Sequence, residues 1–524
     1  MVHALLRPDA FPHPTDDLQL LETHISWIIL AGSEAYKIKK PLNLGFLDFS
    51  DPARRAATCV EEVRLNRRLA RSTYRGVVPI VERDGKLMIG RKGRATGRVI
   101  ELAIWMRRLP AEGMLPALLA RGAATPALMR RIARTMAAFH ARAATGPGVD
   151  EYGDPANIAE HWRGNFEQTA PYVDRTIPRW EIDLIQRYVN ATLDRERALF
   201  ARRIAAGRIR DGHGDLHAGS ICLDGRRLVI FDCLEFSPAY RCGDVAAEVA
   251  FLVMDLAHAG RADLAWSFAS AYAQASGDEE LFRLLDFYAC YRAYVRGKVI
   301  SLRLGQDTRA AEHARISAEA REYFHLATAY AGGRPRPTLL VTCGLPGTGK
   351  STLARALARC LGMVHLSTDI IRKTQAGLEL TERPPAAMIA DLYGPETSRR
   401  TYAAMRRRAR RWLQRGCSVI LDGTYHDPRE RALARNLARR AGARFILVQT
   451  TCPDDVVRAR LAARASDPTN VSDADWQVYT RARATFRPPD EIPDEEQLVD
   501  ASGGADADRV IHCLLSASPE ARTA

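Results

Sequence analysis

Only eight of the 76 basic residues in this 524-residue chain are lysine, and three of those eight, Lys37, Lys39 and Lys40, fall within four positions. In so arginine-rich a composition each lysine is a residue to account for. No apolar run reaches the length a bilayer crossing needs. The first residues, Met1 to Asp9, lack the charged segment, long apolar stretch and small-residue cleavage site of a secretory leader, so a cytoplasmic location is expected. The ten cysteines include no C-x-x-C pair and no metal-ligand spacing, which excludes a disulfide framework or a zinc site as the organising device.

What is present is ordinary for a globular protein: 47% hydrophobic and 26% charged residues. A chain this long exceeds what one core serves, and two domains are expected. The net charge of +14 could attract nucleic acid. The arginine bias, however, runs through the whole chain, and the run Arg406 to Arg411 is read as a solvated helix face in preference to a nucleic-acid patch.

The clearest break is the Gly/Pro-rich stretch Tyr330 to Pro337, which places a boundary at 332/333. Before it, Ser26 to Leu30 and Ala35 to Lys40 form a hairpin, followed by a helix from about Asp51 to Ala70 and further strands at 76–81, 87–89 and 98–106. Helical patterns then dominate, interrupted by a strand pair at 221–223 and 228–231. The order describes a bilobal α+β unit with a small strand-rich lobe and a larger helical lobe. After the break, strands near 339–343, 364–366, 418–421, 445–450 and 497–499 alternate with helices, the pattern of an α/β domain with a mostly parallel sheet.

The second segment carries the sharpest motif. In Gly344, Leu345, Pro346, Gly347, Thr348, Gly349, Lys350, Ser351 the glycines free backbone N–H groups to face phosphates, Lys350 reaches the β and γ phosphates, and Ser351 can ligate magnesium. Thr352 continues the motif into a helix. Asp369, at the end of the next strand, is placed to accept a hydroxyl proton, with Arg372 binding an anionic group; Ser367 or Asp369 could equally cap the helix there. Asp422 ends a further strand and suits a magnesium role, or a plain turn. Arg458, Arg460 and Arg464 sit at helical spacing suited to a lid. Together these residues resemble the small P-loop kinases related to gluconate kinase, polynucleotide kinase and zeta-toxin-type enzymes.

In the first segment, His213-Gly-Asp215-Leu-His-Ala-Gly-Ser220 precedes Phe231-Asp232-Cys-Leu-Glu235, setting two acids about a short hairpin, as phosphoryl transfer requires. These residues resemble the aminoglycoside phosphotransferase and choline kinase families, which have the protein-kinase-like fold. The resemblance implies Asp215 as catalytic acid and Asp232 as principal magnesium ligand. It also places Ser220 where those families have an asparagine ligand; Glu235, by its proximity in the sequence, is the candidate for a substitute oxygen. The nucleotide lysine it implies is Lys39 or Lys37; alternation cannot separate them, and the pattern ahead of the proline favours Lys39. Its partner is expected to be Glu62, with Glu61 second. No G-x-G-x-x-G precedes them. His140 is read as a packed helix residue.

The runs at Phe231, at Tyr240 to Asp244 and at Tyr291 to Lys298 further resemble bacterial proteins that fuse a phosphotransferase-like domain to a P-loop ATPase. The expectation is a bifunctional kinase using ATP and Mg2+, each site acting on a hydroxyl of a small-molecule or nucleotide-like acceptor. The alternatives are a regulatory protein whose first domain is a nucleotide-binding pseudokinase that regulates, or recruits partners for, the P-loop domain, and a kinase of polynucleotide 5′-hydroxyls.

Overall fold

The computed structural model describes the whole chain except residues 44–46, 92–95, 306–309, 333–335, 466, 468–469, 501, 503–506 and 517–524. The centre of the break expected at 330–337 therefore lies outside the described residues.

The chain opens with β1 (Leu18–Glu22), β2 (Ser26–Ala31) and β3 (Glu34–Lys39), then α1 (Pro52–Ala70), β4 (Tyr74–Arg83), β5 (Lys86–Ile89) and β6 (Arg98–Arg107). Two of its helices are α2 (Pro126–Arg142) and α3 (Arg179–Arg195), and short strands follow: β7 (Ile209–Asp211), β8 (Ile221–Asp224), β9 (Arg227–Ile230) and β10 (Cys242–Asp244). Next come α4 (Val245–His258) and, among later helices, α5 (Ala310–Ala331). The remainder is β11 (Thr338–Cys343), α6 (Lys350–Leu361), β12 (Val364–Ser367), α7 (Thr368–Ala376), α8 (Pro395–Leu413), β13 (Val419–Asp422), α9 (Pro428–Arg440), β14 (Arg444–Thr450), α10 (Asp454–Ala465), β15 (Gln497–Asp500) and α11 (Ala507–Ser516), with further short helices between.

Two compact units result: one of Met1–His161, Arg195–Leu252 and Ser267–Leu285, the other of Trp162–Asp194, Val253–Trp266 and Asp286–Ala524. In the first, six strands form an antiparallel sheet in the order β1-β2-β3-β6-β4-β5. A two-residue turn joins β2 to β3, with Gly32 at φ +58° where a side chain would be strained. One face of the sheet is closed by Val2, Leu5, Ala10 and Phe11 from the N-terminal segment, packed on Ile29, Tyr36, Ile38 and Ile80. The other face receives α1, which starts cleanly because Asp51 accepts the Ala53 N–H at 2.9 Å and Pro52 presets the first turn.

In the second unit five strands form a parallel sheet in the order β12-β13-β11-β14-β15. Val419, Ile420 and Leu421 of β13 are fully buried. At roughly 1.5–3 kcal/mol for each such side chain, the strand is held firmly in register, and the polar residue ending it is delivered to the sheet's carboxyl edge. Among the described residues no helix is long and apolar enough to cross a membrane.

Candidate active sites

The first site is built on β3 and α1. Lys37 and Lys39 point the same way from β3, and both ammonium groups reach Glu62, which is fully buried on the facing side of α1. Lys37 Nζ donates to Glu62 Oε1 at 2.8 Å and to Asp232 Oδ1 at 2.6 Å, so it bridges the two carboxylates. Lys39 donates to the other oxygen of Glu62 and to Glu235. Burial alone would favour a neutral Lys37, but Asp232 and Glu62 overcome it and hold the ammonium charged. Asp232 in turn is kept below the usual carboxylate range, since the desolvation of the site is outweighed by Lys37. Glu235 is shifted upward by burial, against the pull of Lys39.

Asp232 occupies the left-handed region at φ +65°, and its side chain is 48% exposed. A non-glycine residue in that conformation must be held by its surroundings. Asn66 of α1 does so: the Cys233 N–H donates to Asn66 Oδ1 at 2.8 Å, while Asn66 Nδ2 donates to the Glu62 carbonyl at 3.0 Å. Nothing in the residue pattern distinguishes Asn66 from any polar residue on that helix face.

Asp215 lies in the loop between β7 and β8, its carboxylate 3.5 Å from His217 Nε2 and partly open to solvent. The loop is anchored from below. The His213 N–H donates to Glu248 Oε1 at 2.8 Å, and the other Glu248 oxygen meets His140 Nε2 at 2.9 Å, with His140 Nδ1 2.7 Å from the Tyr272 hydroxyl. His140 is the packed residue expected, with a positioning task added through Glu248. Ser220 turns back on its own loop, donating to the His217 carbonyl at 2.8 Å and accepting the His217 N–H at 3.1 Å. Glu235 is engaged by Lys39. The two side chains considered as supplementary metal ligands thus both have internal partners.

The second site lies at the carboxyl edge of the parallel sheet. The loop Gly344 to Gly349 leaves β11 and enters α6, where Lys350 is the first residue, followed by half-buried Ser351 and exposed Thr352. Gly344 passes so close to β14 that a Cβ there would stand 2.5 Å from the Thr450 carbonyl oxygen. Thr348 locks the loop, donating to Leu345 O at 2.8 Å and meeting Thr450 Oγ1 at 2.7 Å. Leu345 and Pro346 form its half-buried crest. Lys350 Nζ donates to Leu345 O at 2.6 Å, and burial lowers its pKa to about 8 despite Asp422.

Asp422, ending β13, hydrogen-bonds the Ser351 hydroxyl and meets His365 Nε2 at 3.1 Å from the adjacent strand β12. Burial would raise its pKa; His365 and Ser351 bring it below the usual range. His365 faces the site by simple strand alternation from Ser367, a signal the sequence contained. Asp369 does not cap α7: Ser367 holds the cap position, and the Asp369 carboxylate lies 3.4 Å from Arg372 Nη1 with a further bond to Ser472. Its pKa is raised by burial, against Arg372. Arg372 is buried, its guanidinium 4.5 Å from the Tyr393 ring, and its Nε finds no acceptor among the described residues.

Of the three arginines expected on a lid, Arg458 stacks on Trp476 at 5.1 Å and Arg460 lies 3.8 Å from Cys452 Sγ. Arg464 is the one whose charge couples to Lys350, Asp369 and Asp422; burial lowers its pKa, and Arg355 and Arg460 add to the effect.

Residues 45–288 match the phosphotransferase enzyme family and residues 339–489 match the AAA domain family. An uncharacterized protein of Mycobacterium tuberculosis is 34% identical over 458 residues, spanning 86% of this chain and 88% of its own length, and one of Mycobacterium bovis matches equally. The chain belongs to their family. This chain joins a phosphotransferase-type kinase domain to a P-loop domain of the AAA class; Glu62, Asp215 and Asp232 fall within the first match, with Lys37 and Lys39 just ahead of it, and the second site falls within the other. Among solved structures, a choline/ethanolamine kinase family protein from Mesorhizobium loti covers 60% of the chain and 88% of its own at 13% identity and TM-score 0.38. An APS kinase of M. tuberculosis covers 34% and 98% at 24% identity and TM-score 0.25.

The donor sets of both domains fit magnesium and a nucleotide. Ser351 with Asp422, and Asp232 alone, offer hard oxygen ligands of the kind magnesium takes in ones and twos beside substrate phosphates. Among the described residues no group of three or more His, Cys, Asp or Glu is arranged to hold a metal.

Proposed function

We propose that the P-loop domain transfers the γ-phosphate of ATP to a hydroxyl of an acceptor that also carries an anionic group. The observation that carries this reading is the pair of half-buried Asp369 and buried Arg372, standing beside Lys350 and Asp422 with Arg372 Nε unsatisfied among the described residues. Gly344 to Gly349 cradle the phosphates through their N–H groups, Lys350 exchanges its Leu345 carbonyl for phosphate oxygens, and Arg460 and Arg464 approach from α10. Magnesium, held by Ser351 and Asp422, would supply charge neutralisation between phosphates. Asp369 orients the acceptor hydroxyl and takes its proton; its raised pKa suits a base. Arg372 holds the acceptor's anionic group, its plane kept in place by Tyr393. These proposed roles follow the resemblance to gluconate-, polynucleotide- and zeta-toxin-type kinases, without deciding among them.

For the phosphotransferase domain we propose ATP binding with Lys37 on the phosphates, Glu62 fixing Lys37, Asp232 for magnesium and Asp215 toward an acceptor hydroxyl. A second reading, nucleotide binding without transfer, is favoured by one observation: Ser220 is committed to its own turn and Glu235 to Lys39. A domain boundary at 332/333 and a cytoplasmic setting complete the proposal.

The test uses the full chain with labelled ATP and a panel of hydroxyl acceptors. Lys350→Ala is expected to abolish turnover at the P-loop site. Turnover that survives Lys350→Ala and disappears on adding Asp215→Asn assigns transfer to the first domain; none surviving, with ATP still bound, selects the binding-only reading. Full activity in Lys350→Ala with Asp215→Asn would refute both.

A further inference from the structure

Helix α8 carries seven arginines and one acid, Glu396. Arg406 is paired with Glu430 of α9. The other six, Arg399, Arg400, Arg407, Arg408, Arg410 and Arg411, are exposed and have no carboxylate within ion-pair distance among the described residues. At 100° per residue they spread over about half the helix circumference and about 18 Å of its length. The opposite side, with Tyr402, Met405, Ala409 and Leu413, is packed into the core.

Such a face costs the fold stability. Arg407 and Arg411 lie four apart, and Arg407 with Arg410, and Arg408 with Arg411, lie three apart; each like-charge pair destabilises a helix by roughly 0.2–0.5 kcal/mol. Elsewhere exposed arginines commonly find an acid, as Arg64 does with Glu61 and Arg202 with Glu280. A partnerless cationic surface of this density is complementary to a polyanion.

Its position narrows the partner. Because β12 and β13 are parallel, α8 must run back from the carboxyl edge of the sheet to the start of β13. Its N-terminal end therefore stands at the site edge, where Thr401 Oγ1 lies 3.4 Å from Gln375 Oε1 of α7 and the Tyr402 hydroxyl 3.2 Å from Thr424 Oγ1. The track begins there and leads away along the outer face. Packed between α7 and α9, the helix cannot enter a duplex groove. No large exposed apolar side chain on α8 is available to insert in a bilayer.

We propose that the outer face of α8 docks a single-stranded polynucleotide through its backbone phosphates. The inference needs no phosphoryl transfer and stands apart from the function above. Six neutralised phosphates on a single strand give a salt slope of about −4, an affinity loss of about 300-fold between 50 and 200 mM salt. The test is fluorescence anisotropy of the full chain, without ATP, on labelled 20-nucleotide single strands of DNA and RNA. Arg400→Gln, Arg407→Gln, Arg408→Gln and Arg411→Gln, combined in one variant, keep helix propensity. They are expected to weaken binding at 50 mM salt at least 30-fold and to make the slope shallower by about 3. Arg130→Gln with Arg134→Gln, exposed residues of α2, tests bulk charge and is expected to change affinity less than threefold. Absence of binding at 50 mM salt would overturn the proposal. So would equal weakening by the α2 variant, an unchanged quadruple variant with an unchanged melting temperature, preference for duplex, or displacement of the strand by anionic phospholipid vesicles.

Discussion

Lys37 and Lys39 share one counter-ion, yet their second partners differ in a way that separates their roles. Lys37 reaches Asp232, whose side chain is half open to solvent, whereas Lys39 reaches Glu235, which is 4% exposed. Removing Lys39 strands a buried carboxylate, at a cost of about 3–5 kcal/mol. Lys39→Met is therefore expected to lower the melting temperature sharply while ATP binding at the first site, measured in a Lys350→Ala background, changes only a few-fold. Lys37→Met is expected to reverse the pattern, losing at least tenfold in ATP affinity with a smaller loss of stability; the opposite result would transfer the nucleotide role to Lys39. At the second site, Asp369→Asn should lower kcat about 10²–10⁴-fold with ATP affinity retained. The acid limb of the rate profile should lie above the ordinary carboxylate range in the parent, since burial raises Asp369, and vanish in the variant. Equal kcat in the two proteins would remove Asp369 from the reaction.

At the scale of elements, the P-loop and α10 are fitted to one another. Gly347 has φ +81°, and a Cβ there would stand 2.8 Å from Val457 Cγ1 and 3.2 Å from Leu461 Cγ, both on α10. Gly347→Ala should therefore push away the helix that bears Arg460 and Arg464. Overpacking of this kind costs roughly 1–3 kcal/mol. ATP affinity by calorimetry is expected to fall at least tenfold, whereas Gly377→Ala, in open space at the end of α7, should leave it unchanged. Strands β13 and β14 were legible because each carries a short apolar run ending in a polar residue at the sheet edge, and Asp422 is such an ending. Strand β1 was not: Leu18 to Glu22 form an edge strand, half-buried to exposed throughout, and Leu21 breaks the alternation that Leu18 and Leu20 begin. The choice between Lys37 and Lys39 was hidden for another reason, since period-two alternation puts both on one face and only Asp232 and Glu235, nearly 200 residues away, tell them apart.

At the scale of the molecule, the second unit is tied together across great sequence distance by one imidazole. His325 of α5 has Nδ1 3.0 Å from Glu181 Oε1 on α3 and Nε2 3.6 Å from Asp508 Oδ1 on α11, and Thr328 donates to the other Glu181 oxygen at 2.6 Å. Burial would depress the imidazole, but the two carboxylates outweigh it and raise its pKa to about 9. The unfolded value is about 6.5, so the charged histidine binds its proton more tightly in the folded state. The stabilisation is thus full below about pH 6.5 and is lost as pH rises through about 9, on the order of 3 kcal/mol in all. Thermal unfolding of the full chain should show a melting temperature that declines between pH 7 and 9.5, and His325→Gln should be less stable at pH 6.5 with a flatter profile. Parallel profiles for the two proteins would show that the cluster carries no such stabilisation. Glu181 and His325 precede the proposed boundary at 332/333 and Asp508 follows it, so a cut there severs the ion pair. Each half is then expected to lose stability relative to the full chain, which is why the functional tests above rest on substitutions in the intact protein.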